Sequence, residues 1–95
     1  MITTHFIYIL ASLRGTLYVG STRKLANRID QHRAGAVNSF SRKYKTERLV
    51  YYEVAESAEA ALTRERQIKS WRREKKVALI ETMNPYWEDL SEQTG

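Results

Sequence analysis

Two short runs near the start constrain this chain most. Residues 5 to 11 (HFIYILA) and 16 to 20 (TLYVG) are aromatic and β-branched, and Ser12-Leu13-Arg14-Gly15 separates them, a pattern that predicts a β-hairpin. A sheet built on that hairpin needs both faces covered. The rest of the chain supplies the parts. Arg48 to Ala55 (RLVYYEVA) reads as a third strand. A helix is expected from about Lys24 to Ala34, with Leu25 and Ile29 as its apolar stripe, Ser21 or Thr22 as cap and Gly35 as stop. A longer helix runs from Ala58 to about Trp71 behind the N-cap Ser57, and a last one from Lys75 to Met83 ends before Pro85. Residues 36 to 46 are polar and basic with isolated Phe40 and Tyr44, and read as an ordered loop. The order ββαβαα predicts a small α+β layer fold, three strands backed by three helices, in one domain spanning 1–95.

Composition removes several chemistries. With no cysteine among 95 residues, disulfides, thiolate zinc sites and cysteine nucleophiles are excluded. Two histidines are too few for a zinc site by themselves. There is no phosphate-binding glycine loop, no Gly-x-Ser-x-Gly, and no apolar run of about 18 residues. Met1 to His5 lacks the charged start of a secretion signal, so a cytoplasmic protein without membrane partners is expected.

The net charge of +5 is unevenly spread. From Arg14 to Arg48 nine basic residues face Asp30 and Glu47, and a second basic island runs from Arg64 to Lys76. Such islands suit a polyanion, with nucleic acid the leading partner, and equally a solvated basic surface. The candidate contacts are Arg23, Lys24, Arg33, Arg42, Lys43, Lys45, Lys69 and Arg72.

Three constellations carry potential chemistry. If Tyr8 and Tyr18 stand opposite one another, their phenols lie side by side across a three-residue loop with Gly15 at a bulge position. Two strand tyrosines taken alone are more often packing residues. Arg28 and His32 lie one helical turn apart, at about 60° and 20° from Leu25, bordering the core. An arginine and a histidine at a cleft edge can bind a phosphate and move a proton. Glu65 falls at about 300° on a helix whose apolar residues Leu62, Ala58, Ala61 and Ile68 lie at about 0°, 320°, 260° and 240°, in the middle of the apolar face. A carboxylate there needs a partner, either a hydrated divalent cation or Lys69 four residues on.

Phe6-Ile7-Tyr8, Tyr18-Val19-Gly20, Arg28, His32 and Glu65, in this order, resemble the motifs of the GIY-YIG nuclease superfamily, and most closely its small stand-alone bacterial YhbQ-like members. The likeness runs from Phe6 to about Leu90. It implies a three-stranded antiparallel sheet flanked by helices and metal-dependent cleavage of DNA; the sequence itself leaves RNA open as the substrate. It further implies that Tyr8, Tyr18, Arg28, His32 and Glu65 are catalytic, with Glu65 holding one Mg²⁺ or Mn²⁺. A monomer or weak homodimer is expected. The first motif carries Phe6 in place of glycine, and Val77 stands where many members have asparagine, leaving Asn84 as the candidate substitute.

Overall fold

The computed structural model describes residues 4–36 and 39–94. Met1 to Thr3, within the leader reading, and residues 37 and 38, within the expected loop, lie outside them. The elements are β1 (His5–Ala11), β2 (Leu17–Thr22), α1 (Leu25–Arg33), α2 (Ser39–Tyr44), β3 (Arg48–Ala55), α3 (Ala58–Lys69) and α4 (Arg73–Met83), closed by a 3₁₀ turn at Ser91–Thr94. The strands form one antiparallel sheet in the order β2-β1-β3. Strand β3 has the bounds its sequence suggests, and Ser57 caps α3 by accepting the Ala60 N–H at 3.0 Å.

Strand alternation sends residues to two different cores. Ile7, Ile9, Ala11 and Val19 pack with Ala61 and Ile68 of α3 and Ile80 of α4. Tyr8 and Leu10 pack on the other face with Leu25 and Ile29 of α1, joined by Leu49 and Leu90. A register shift between Ile9 and Leu10 along β3 adds a residue, so Val50 and Tyr51 both join the α3/α4 core while Leu49 and Tyr52 turn to α1.

Several expectations need correction. Neither Ser21 nor Thr22 caps α1: both belong to β2, and the N-cap position is Lys24 with no side-chain cap. The hairpin register is not Tyr8 opposite Tyr18: Tyr8 pairs with Gly20, Leu10 with Tyr18 and Ala11 with Leu17, so residues 12–16 form the loop. The cause is steric. A Cβ on Gly20 would stand 2.4 Å from the Tyr8 hydroxyl, so the bare glycine gives the Tyr8 ring its place. Gly15 keeps a turn role, with φ +88° and its N–H on the Ser12 carbonyl at 3.0 Å. The stretch read as a loop contains α2, where Phe40 and Tyr44, four residues apart, pack with their rings tilted by 47° at 4.8 Å between centroids. Two aromatics in a short polar segment carry too little periodicity to announce a helix. Finally, Leu62 is 43% exposed. The buried side of α3 is Ala61 and Ile68, and Glu65 sits at its margin instead of its middle.

The C-terminal segment is tied to the sheet. Leu90 donates its N–H to the Leu49 carbonyl at 2.8 Å, and Asp89 accepts from Leu49 N at 3.3 Å and Arg33 Nη2 at 2.8 Å. Asn84 is buried, with its amide donating to the carbonyls of Val50 and Glu88 and its oxygen accepting the Glu88 N–H. Both ends of that side chain serve the fold, so Asn84 does not stand in for a site asparagine. Trp71 and Trp87 pack against the α3/α4 core. Among the described residues no helix is long and apolar enough to cross a membrane.

Candidate active site

The site is built across β2, one of the two edge strands of the sheet. On the α1 side, Tyr8 is fully buried and its hydroxyl lies 3.1 Å from His32 Nε2. Tyr18, diagonal to Tyr8 in the register, sets its ring 6.3 Å from Tyr8 and edge-on to His32 at 4.6 Å. His32 is 1% exposed, inside the core where a position bordering it was expected. Burial, with Arg28 nearby, lowers its pKa to about 4, so the ring is neutral at physiological pH. A neutral imidazole has one acceptor nitrogen, and a phenol that keeps its proton can donate to it. Burial does keep that proton on: together with the neighbouring Tyr18 and Glu65 it pushes the Tyr8 phenol up, while Arg28 pulls it down.

On the α3 side stands Glu65, with its side chain 13% exposed. Its Oε1 accepts from Ser21 Oγ at 2.5 Å and its Oε2 from Lys69 Nζ at 2.5 Å. Strand β2 thus presents Tyr18 to one face and Ser21 to the other, with Gly20 between them. Because Gly20 has no side chain, the Tyr8 hydroxyl reaches the strand from one side, while Glu65 is bonded to Ser21 on the other.

The basic candidates divide by their surroundings. Arg23 and Lys24, on the turn between β2 and α1, line an open cleft with Thr22, Asn27, Arg28 and Gln31. Arg42, Lys43 and Lys45 are exposed on and just after α2, and Arg72 is exposed ahead of α4. Arg33 bonds the Glu47 carbonyl, Asp89 and Ser91, which makes it a clamp on the C-terminal segment. Lys69 is held by Glu65. Neither Ser21 nor Gly20 stood out in the sequence as a site residue. The signal lay in β2's alternation: Leu17, Val19 and Ser21 point the same way, and a hydroxyl ending an apolar series asks for a polar partner.

Tyr8 and Tyr18 thus stand on one side of β2 and Glu65 on the other, with the Arg28 cleft alongside. Residues 4–78 match the GIY-YIG catalytic domain. The chain belongs to the GIY-YIG family. Its relatives are similarly small: a UPF0213 protein of Haloquadratum walsbyi is 38% identical over 81% of this chain and 86% of its own length. A UPF0213 protein of Staphylococcus aureus is 35% identical over 81% of this chain and 94% of that protein. The solution NMR structure of the UPF0213 protein BH0048 from Bacillus halodurans superposes with a TM-score of 0.58 at 29% identity, covering 94% of this chain and 95% of that one. This chain is thus a small GIY-YIG protein of the UPF0213, or YhbQ-like, type, and its family is one of nucleases acting on nucleic acids.

Proposed function

We propose that the protein is a divalent-metal-dependent endonuclease that hydrolyses phosphodiester bonds in DNA, selecting by structure or weakly by sequence. The observation that carries the reading is the convergence at β2 of Tyr8, whose hydroxyl meets His32, and Tyr18 on one face with Glu65, bonded to Ser21, on the other, next to a cleft walled by Arg23, Lys24 and Arg28.

The residues fit a divalent cation of one kind. Among the described residues no three histidine or acidic side chains cluster, so an all-protein cage is absent there. Glu65 alone, already attracting the Lys69 ammonium, suits Mg²⁺ or Mn²⁺, which keep most of their shell as water and phosphate oxygens. When bound, the ion neutralises charge on the phosphoryl group and its leaving oxygen. Arg28, with Arg23 and Lys24, holds the non-bridging oxygens. Tyr18, the more exposed phenol, orients the attacking water and passes its proton toward solvent as the new P–O bond forms and the ester P–O bond breaks; the leaving oxygen takes a proton from water. His32 accepts the Tyr8 O–H and fixes that ring behind Tyr18.

The test is cleavage of labelled single-stranded, duplex, flapped and junction DNA, and of RNA, with Mg²⁺, with Mn²⁺ and with chelator. Cutting that needs the ion and disappears in Glu65→Gln is the expected result. Absence of cutting with salt-sensitive binding retained would leave a non-catalytic nucleic-acid-binding module, a reading that the engagement of Asn84 within the fold favours.

A further inference from the structure

An aromatic path leaves the site and ends on the surface. From Tyr18, the Phe40 ring on α2 is 6.1 Å away, and Tyr44 packs against Phe40 at 4.8 Å with the rings tilted by 47°. Phe40 and Tyr44 are 40% and 42% exposed, more than packing requires of rings so close to a core. The helix that carries them has no acidic residue, and Arg42, Lys43 and the adjoining Lys45 surround the rings with positive charge. Lys43 Nζ stands 5.3 Å over the Tyr44 ring.

Exposed apolar rings within a basic rim match one ligand chemistry better than others. A nucleobase is a flat π-surface attached to an anionic backbone, so it places a stacking face and a phosphate side by side. An apolar peptide segment would use the rings and gain nothing from the three cations. A base paired within a duplex has both faces already stacked and cannot lie on Phe40.

We propose that Phe40 and Tyr44 form a stacking platform for an unpaired nucleobase next to the phosphate held in the cleft, so that the preferred substrate is a single strand or a flap. The inference rests on the reading of the cleft as a nucleic-acid site, and it adds the substrate's shape.

The test measures binding in the presence of chelator, so that no cleavage intervenes. Fluorescence anisotropy compares a short labelled thymidine strand, the same strand with abasic sites, and a blunt duplex. Phe40→Leu and Tyr44→Leu should each weaken binding of the thymidine strand about tenfold and leave the abasic strand and the duplex within twofold of wild type. Equal losses on all three ligands, or none on any, would overturn the platform. Phe40→Trp keeps a ring and adds an emitter, and its emission should be quenched by the thymidine strand and not by the abasic one. An unchanged emission overturns the proposal even if the leucine variants unfold. Dimers seen by light scattering that vanish in Phe40→Leu would assign the rings to self-association instead. The two readings fail separately: selective strand binding without cleavage under any metal defeats the nuclease, and metal-dependent cleavage with affinity indifferent to Phe40 defeats the platform.

Discussion

Two carboxylates on opposite margins of α3's packing surface have different fates. Glu53, on β3, is gripped by Arg64 through Nε at 2.5 Å and Nη2 at 3.4 Å and also receives the Tyr51 hydroxyl. Arg64 is itself fixed, bonded to Gln67 at 2.7 Å and lying over the Trp71 ring at 5.2 Å. Burial alone would raise the Glu53 pKa, yet the hydrogen bonds from Arg64 and Tyr51 hold it below its ordinary value. Burial and the bond to Glu53 push the Tyr51 phenol up to about 12. Glu65 is the more buried carboxylate, 13% exposed against 24%, and yet its cationic partner is a lysine with half its side chain in water. A planar guanidinium fork is a fixed closure, whereas an ammonium on a four-carbon stem is exchangeable. The chain thus closes one carboxylate with a fixed fork, and the proposed function requires the other to exchange its lysine for a metal ion.

Removing the charge at Glu65 should break that contrast most visibly. Glu65→Gln keeps the bond from Ser21 and loses the cation, so cleavage should drop roughly a thousandfold while thermal unfolding barely moves. Single-turnover cleavage and a melting curve on the same preparation check both halves. A large fall in melting temperature would make Glu65 a structural group like Glu53.

Acid should separate the two regions next. The fold favours neutral His32, with its pKa near 4 against an ordinary 6.5. Its contribution is therefore complete above about pH 6.5 and is lost as pH falls toward 4, by up to about 3 kcal/mol. Glu53 works in a lower window, because a depressed carboxylate yields its stability only as pH drops below its ordinary 4.5. Denaturant unfolding at stepped pH should show the loss between 6.5 and 4 in the wild type and not in His32→Gln. The same loss in the variant would assign it to another group.

Glu53→Gln sharpens the comparison from the other side. It leaves Arg64 facing a neutral amide, which should cost about 1–3 kcal/mol, while metal-dependent cleavage measured below the melting transition should stay near wild type. Cleavage lost as in Glu65→Gln would mean that both carboxylates serve the chemistry.

How much of this was legible in the sequence depended on range. Local signals worked: the β-branched run at Arg48–Ala55, the Ser57 cap and the stop before Pro85 each rest on neighbours a few residues apart. The motif spacing gave the family, since Tyr8, Tyr18, Arg28, His32 and Glu65 could be aligned without knowing where their side chains meet. Long-range pairings stayed hidden. Nothing near Ser21 announces a bond to Glu65, 44 positions later, and the placement of Tyr8 against Gly20 was a matter of steric room that alternation alone does not measure. The depth of His32 was misjudged because a helical wheel gives a direction and not the distance to the sheet it faces. Asn84 looked free for chemistry until the returning C-terminal segment claimed both ends of its amide.

The smallest effect addresses exchangeability itself. Lys69 and Glu65 form an i,i+4 pair on an exposed helix edge, a class of contact that adds about 0.3–0.5 kcal/mol. Lys69→Gln should therefore leave the fold almost unchanged. If the ammonium competes with a metal ion for Glu65 Oε2, its removal should tighten Mn²⁺ binding by about twofold, the same energy expressed as affinity. Calorimetric titration of Mn²⁺ into the wild type and the variant at low ionic strength reads this directly, with Glu65→Gln as the control that abolishes the heat. Looser binding in Lys69→Gln would mean that the lysine holds the carboxylate in position, as Arg64 holds Glu53. The two carboxylates would then differ in strength of closure and not in kind, and the burden of attracting the metal would shift to the phosphate that arrives with the substrate.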